Sequence, residues 1–413
     1  MIRTDSPIDD LLERLLPSIE PVQELESVSL RDARGRVLGR TVAAEGPVPG
    51  FRRSAVDGYA LCLPADGAAT DLVLPVVGYI AAGAPLIDVP PTPGAIRIFT
   101  GAPVPRDFDR VAMQEDCLAG LTTVPVRRVP KAGANVRQIG DDIAAGQVAL
   151  SCGTQLDGRH LAVAASLGLT NLRVRRRIRI GVLSTGSELV SPGQNLGPGK
   201  IYASNGVLVT AILEQAGFDV VDLGIVEDDP DCINAALNTS LELDALVTSG
   251  GVSVGESDYV RRTMVAAGGK IEQWRLPIKP GKPILFGRLP RNARSELPVI
   301  GLPGNPNAAF VTLVLIGLPL LRAVAGQPRR VLHPILVEVQ ASWRHAPGRQ
   351  EFVPVQLLPA GLRGIAGACR AGSGGSAQQC ALSTADALAI VPAEADGVAV
   401  GDVLAAYPIN QIA

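Results

Sequence analysis

Five carboxylates stand beside turn or strand-end signals in this chain: Asp57, Asp142, Glu188, Asp228 and Asp258. Carboxylate oxygens are the ligands Mg²⁺ prefers, so acids gathered at one place would hold a divalent cation and, through it, a phosphorylated group. Residues 246–259, LVTSGGVSVGESDY, carry one of the five. The segment starts as a buried strand, breaks at Gly250, Gly251 and Gly255, and closes on Asp258. Glycines let backbone N–H groups approach an anion closely, and Ser249 and Ser253 add hydroxyl donors. A carboxylate beside such a loop suits a phosphate bridged by metal better than a bare one. The same glycines also fit a plain turn, and each acid taken singly fits a solvated turn residue or a helix cap.

Lys279 and Lys282 flank a Pro-Gly turn that can aim two ammonium groups at one oxyanion, although two exposed surface lysines give the same pattern. Asp57 lies in Ser54-Ala-Val-Asp-Gly-Tyr59 and Thr100 in Thr100-Gly-Ala-Pro-Val-Pro105; both read as turns, and neither alone names a chemistry. Three histidines, at 160, 333 and 345, are too far apart in sequence to suggest a His-metal or Ser-His-Asp centre. Six scattered cysteines with no C-x-x-C pair fit reduced thiols in a cytoplasmic protein, not a disulfide framework or a zinc site.

A net charge of −2 gives no global pull toward nucleic acid or membrane. The basic run 173–179 has no interleaved aromatic residue and reads as a solvated linker entering a strand. The N-terminus has no apolar core of a secretory signal. The apolar run 308–321 contains Thr312, Gly317 and Pro319, is short for a membrane span, and reads as a buried helix.

The elements that must position these groups follow from the patterning. The 413 residues allow about two to four domains. With 47% apolar but only 3% aromatic residues, the cores must be built from Val, Leu, Ala and Ile. Ser6-Pro7 opens a helix, and Ile8, Leu11, Leu12 and Leu15 follow helical spacing. Residues 45–144 show short apolar runs punctuated by Gly and Pro, a small all-β region. Residues 155–171 look helical, so 1–44 and 145–176 are expected to form one helical domain split by the β insertion.

Over 177–327 strands at 178–183, 220–226, 245–247 and 299–302 alternate with helices at 205–216 and from 229. That order predicts an α/β domain with a doubly wound parallel sheet, whose ligands sit at the carboxyl ends of the strands. Three such ends carry polar loops, 184–188, 248–258 and 303–306. Residues 328–413 read as a separate small β domain. The residues alone therefore reach a multidomain α/β protein that binds a phosphorylated ligand with Mg²⁺, and they do not name the ligand.

Eight motifs in order go further. They are Ser54-Ala-Val-Asp-Gly-Tyr-Ala60, Thr100-Gly-Ala-Pro-Val-Pro105, Gly133-Ala-Asn-Val-Arg137 leading to Gly140-Asp-Asp-Ile143, and Leu183-Ser-Thr-Gly-Ser-Glu-Leu189. Ile201-Tyr-Ala-Ser-Asn205, Gly250-Gly-Val-Ser-Val-Gly255 with Asp258-Tyr259, Lys279-Pro-Gly-Lys-Pro283 and Leu302-Pro-Gly-Asn-Pro306 complete them. In this combination the chain resembles the molybdopterin molybdenumtransferase family, whose animal relative is the E domain of gephyrin.

The resemblance implies four domains: the split helical one, the β insertion, a molybdopterin-binding α/β domain and a C-terminal small β barrel. It implies a cytoplasmic homodimer with its active site between the α/β domain of one subunit and the β insertion of the other. The substrates would be adenylated molybdopterin and molybdate, with AMP released and molybdate captured by the dithiolene. The energy lies in the phosphoanhydride, which agrees with the absence of a G-x-x-x-x-G-K-[ST] loop. Glu188, Asp228 and Asp258 would hold Mg²⁺, and Asp57, Thr100 and Asp142 would complete the catalytic set. Ser249, Gly250, Gly251 and Ser253 would cradle the pterin phosphate. Lys279 and Lys282 would take molybdate, with Pro303, Asn305 and Arg349 also in contact with substrate. A transient contact with the molybdopterin adenylyltransferase follows, and neither nucleic acid nor membrane is a partner.

Three departures concern the oxyanion side. Asn307-Ala308 replaces the usual Val-Ser, Pro354 stands where a basic residue is common, and residues 374–379 match the family's serine-containing loop loosely. They keep open a paralogue that uses tungstate or a modified pterin, and a non-catalytic molybdopterin-binding scaffold. A nicotinamide dehydrogenase is excluded, because residues 184–188 do not form G-x-G-x-x-G.

Overall fold

The computed structural model describes residues 6–63, 72–85, 92–120, 122–251, 259–292, 295–361, 364–372 and 378–412. Ser253, Gly255 and Asp258, together with most of the loop 374–379, lie outside the described residues.

The N-terminal helix Pro7–Leu15 is started by Ser6, whose Oγ accepts the Ile8 N–H. Its buried face of Ile8, Leu11, Leu12 and Leu15 joins the large core of the α/β region. The second helical piece, Gly158–Ser166, packs elsewhere, with Leu38, Leu150, Leu172 and Val174. The two helices therefore do not pack on each other. What zips the split region together is an antiparallel pair, Leu25–Ser29 with Asn171–Arg175. The first helix goes where its apolar stripe finds an apolar surface large enough to cover it.

Within the β insertion a five-stranded sheet has the order Arg110–Met113, Gly58–Cys62, Gly94–Ile98, Leu72–Ile80, Thr123–Val126. The basic run behind it is held within the chain: Arg176 forms a forked pair with Asp244 at 2.6 and 2.8 Å.

The α/β region has a six-stranded sheet ordered Asp219–Val226, Arg179–Thr185, Ala245–Ser249, Ser295–Leu302, Pro283–Asn292, Lys270–Arg275. The first four are mutually parallel. Pro283–Asn292 turns back antiparallel to Ser295–Leu302, so the sheet is mixed, not wholly parallel as expected. Its two faces are read directly from strand alternation. Ala245 and Val247 join one core with Val209, Ile212 and Leu213 of helix Ser204–Gln215. Leu246 faces the other, with Ile233 and Leu237 of helix Pro230–Ser240 and Val260 and Met264 of helix Tyr259–Ala266.

The helical run Pro306–Val324 is 19 residues long with a mean hydropathy of 1.9, long and apolar enough on those grounds to cross a membrane. Its most apolar stretch is 83% buried inside the fold, where it forms the spine of the largest core. Each fully buried Leu, Ile or Phe there stabilises by roughly 1.5–3 kcal/mol.

The C-terminal strands close on themselves: Gln350–Ala360, Ala366–Arg370, Ile335–Val339, Val403–Pro408, Ala387–Val391 and back to Gln350–Ala360. The expected small barrel is present. One short strand of the α/β region, Ile278–Lys279, adds in parallel to its rim and sets Lys279 opposite Glu351.

Candidate active site

A cleft of about 770 Å³ opens where the carboxyl ends of the parallel strands meet the barrel. Gly250 and Gly251 follow strand Ala245–Ser249 and turn across the end of Arg179–Thr185 with φ of +92° and +66°. A Cβ on Gly250 would lie 2.2 Å from the Thr185 carbonyl oxygen, so only glycine permits this approach. Ser249, by contrast, is 3% exposed behind the cleft wall, and its Oγ accepts a hydrogen bond from Asn205 Nδ2 at 3.0 Å. The same Nδ2 reaches the Gly304 carbonyl at 2.7 Å, tying two strand-end loops together.

One end of the cleft is acidic. Asp228 and Ser187 brace each other, Ser187 N–H to Asp228 Oδ2 at 3.4 Å and Asp228 N–H to Ser187 Oγ at 3.3 Å. Asp228 Oδ1 is buried with no hydrogen-bond partner among the described residues, as is Thr185 Oγ1. Burial, with the neighbouring Glu188 carboxylate adding to it, pushes the Asp228 carboxyl up from its ordinary range. Among the described residues no three His, Cys, Asp or Glu side chains gather around a point. Glu188 and Asp228 supply two acids, and the third expected one, Asp258, lies outside the described residues. An orphaned carboxylate oxygen beside a second acid is a site that a hard cation fits.

The other end is cationic. Gly281 lets the Lys279-Pro-Gly-Lys282 turn press on the long helix; a Cβ there would meet Thr312 Cγ2 at 2.5 Å. Lys279, Lys282, Arg349 and Arg370 all line this end. Pro303 and Asn305 line it too, and Asn305 occupies the N-cap of the helix that starts at Pro306. That helix end adds a favourable field for an anion. Lys279 Nζ pairs with Glu351 Oε1 at 2.9 Å, and Glu351 Oε2 meets buried His345 Nδ1 at 2.7 Å.

Asp57, Thr100 and Asp142 do not line the cleft of their own chain. Asp57 and Thr100 nonetheless form a tight pair at the ends of two neighbouring inner strands of the five-stranded sheet, Gly58–Cys62 and Gly94–Ile98. Thr100 N–H and Oγ1 both donate to Asp57 Oδ1, each at 2.7 Å. Those donors, the backbone one first, hold the Asp57 carboxyl below its usual range. Thr100 and Asp142 are exposed.

Sequence reasoning missed Thr185, Asn205, His345, Glu351 and Arg370 as site residues. Thr185 and Asn205 sat inside motifs already noted. Glu351 is brought to the cleft by pairing with the distant Lys279, and Arg370 by the next strand of the barrel, contacts for which a single sequence carries no local signal.

A three-layered α/β region with its cleft at the strand ends, capped by a small barrel, defines a multidomain α/β protein with a strand-end ligand cleft. Residues 6–168 match the MoeA N-terminal region (domain I and II), 181–323 a probable molybdopterin binding domain, and 337–409 the MoeA C-terminal region (domain IV). The Haemophilus influenzae protein named molybdopterin molybdenumtransferase is 35% identical over 348 residues, 84% of either chain. The Mycobacterium tuberculosis protein named molybdopterin molybdenumtransferase 2 is 37% identical over 312 residues, 73% of this chain and 76% of that one. A solved structure, the molybdopterin biosynthesis moeA protein of Pyrococcus horikoshii OT3, superposes with a TM-score of 0.79 at 25% identity, covering 98% of this chain and 99% of that one. The chain belongs to the MoeA family of molybdopterin molybdenumtransferases.

Proposed function

We propose that this enzyme inserts molybdate into adenylated molybdopterin, cleaving the phosphoanhydride and releasing AMP. The observation that carries the reading is one cleft with oxygen-donor acids at one end and four cationic side chains at the other. The acids suit a metal-bridged phosphate, and the cations suit a small dianion.

Glu188 and Asp228, with Asp258 as the expected third ligand, would hold Mg²⁺. When bound, that ion neutralises charge on the phosphoanhydride oxygens. Gly251 brings its backbone N–H to the phosphate, while Gly250, whose N–H donates to the Leu302 carbonyl at 3.1 Å, holds the turn; Ser253 is the expected hydroxyl donor there, and Ser249 supports the loop from behind. Lys279, Lys282 and Arg349 hold molybdate beside the dithiolene, with Pro303 and Asn305 shaping that wall.

Asp57, Thr100 and Asp142 act from a second subunit in a homodimer. Their position outside the cleft of their own chain, with Thr100 and Asp142 facing solvent, supports that assignment. The protein works in the cytoplasm and takes its adenylated substrate from the molybdopterin adenylyltransferase by transient contact. Neither nucleic acid nor membrane takes part.

A second reading is favoured by one observation. Asn307 and Ala308, which depart from the family's Val-Ser, line the cleft itself, so the oxyanion accepted could be tungstate. Turnover of Asp258→Ala and Asp57→Ala tests the residue assignments. Both variants are expected to lose AMP release; full activity in either would remove that residue from the site.

A further inference from the structure

Glu351 is a buried acid at the cationic end of the cleft, and the proposed reaction gives it no role. It is 2% exposed, yet it lines the cleft. Three side-chain groups converge around it. Lys279 Nζ lies 2.9 Å from Oε1 and an Arg370 guanidinium nitrogen 3.7 Å from the same oxygen. His345 Nδ1 lies 2.7 Å from Oε2, and the His345 side chain is 0% exposed. His345 Nε2 is buried without a hydrogen-bond partner among the described residues. The tautomer with its proton on Nδ1 therefore donates to Glu351 and leaves only an acceptor unpaired. Strand register sets the rest, since Lys279 stands directly opposite Glu351 in the parallel pair.

The four cleft cations are thus of two kinds. Lys279 and Arg370 are drawn to an internal carboxylate. Lys282 and Arg349 have no ion-pair partner among the described residues. An entering oxyanion meets two uncommitted cations and must share the other two with Glu351.

We propose that Glu351 is a built-in counter-ion that limits oxyanion affinity, occupying in the empty cleft the charges a tetrahedral dianion would take. This rests on the reading of that end of the cleft as the oxyanion site. A cleft with four uncompensated cations would also fill with the abundant dianion sulfate, and a fixed carboxylate lowers the affinity for every dianion there. His345 is a positioning residue: it anchors the second oxygen, so that Glu351 stays aimed at Lys279. Glu351 touches no reacting atom on this account, and its effect is on binding rather than on the chemical step.

The test is direct binding of molybdate alone and of sulfate alone to the full-length protein, by equilibrium dialysis. Glu351→Gln keeps the shape and hydrogen-bonding capacity and removes the charge. It is expected to bind both anions about tenfold more tightly than wild type. Glu351→Asp keeps the charge but withdraws it from Lys279, and is expected to bind both about threefold more tightly. The aspartate variant carries the test alone if the glutamine variant does not fold. Equal or weaker binding than wild type, or no detectable binding in wild type and variants alike, overturns the proposal. Wild-type AMP release is measured in parallel. Tighter anion binding by the variants without any AMP release in wild type would sink the transferase reading and leave the counter-ion in place. Molybdate-dependent AMP release with unchanged affinity in the variants would do the reverse.

Discussion

Thr100 gives Asp57 two hydrogen bonds on one oxygen, from its backbone N–H and its Oγ1, both at 2.7 Å. The pair is built by two turns brought side by side. Gly58, directly after Asp57, sits so close to the strand Arg110–Met113 that a Cβ would lie 1.8 Å from the Ala112 carbonyl oxygen. The Asp57-Gly58 turn is therefore fixed from one side by backbone contact and from the other by Thr100.

Removing the Thr100 hydroxyl leaves the backbone donor, so the Asp57 carboxyl should rise only part of the way to its ordinary value. A carboxyl held low in the folded state stabilises the fold above its unfolded value, and that contribution is lost as pH falls through the folded one. Thr100→Val is expected to move the acid limb of the rate–pH profile upward and to lower turnover about tenfold at neutral pH. A profile that superposes on wild type would remove Thr100 from the catalytic set.

Asp228 behaves in the opposite sense. Burial and Glu188 raise its carboxyl, so the folded state binds the proton more tightly than the unfolded chain does. Stability from this group is therefore greatest at low pH and falls as pH rises through the raised value. Asp228→Asn is expected to raise the melting temperature of the metal-free protein at neutral pH. Added Mg²⁺ is expected to raise the melting temperature of wild type and to leave that of the variant unchanged. A lower melting temperature without metal, or an unchanged response to Mg²⁺, would contradict the assignment.

Gly250→Ala tests how the glycine loop is held. The residue has φ +92° and a Cβ would meet the Thr185 carbonyl oxygen at 2.2 Å, so both strain and overlap oppose the side chain. The loss is expected to be roughly 2–4 kcal/mol of stability, read by denaturant unfolding. A loss below about 0.5 kcal/mol would show that the loop has room to shift.

Subunit complementation tests where Asp57 acts. If each site takes Asp57 from one subunit and Asp228 from the other, a mixed dimer of Asp57→Ala and Asp228→Ala chains has one intact site. Equal mixing after subunit exchange should then restore about a quarter of wild-type activity. No recovery despite proven exchange would place both residues in one chain's site.

How much of this was legible in the sequence depended on the range of the signal. Ser6 and Asp229 announce helix starts because a cap is a contact within three residues, and both cap helices in the structure. Ala245–Ser249 reads as a buried strand because its whole length is apolar or small. The hairpin Pro283–Asn292 with Ser295–Leu302 was half seen, since Pro283, Pro290 and Arg291 break the apolar run that marks a central strand. Glu188 and Asp228 stood out because strand ends concentrate ligand contacts. Glu351 did not, because nothing near it in sequence reveals that Lys279 will lie opposite.

The central claim is most directly tested by incubating the purified protein with adenylated molybdopterin, Mg²⁺ and either molybdate or tungstate, while following AMP release and metal incorporation. The account predicts AMP release that depends on molybdate, with molybdenum recovered in the pterin product. Binding of adenylated molybdopterin with no AMP release under either oxyanion would contradict it and leave a non-catalytic scaffold, and release with tungstate alone would replace molybdate as the substrate.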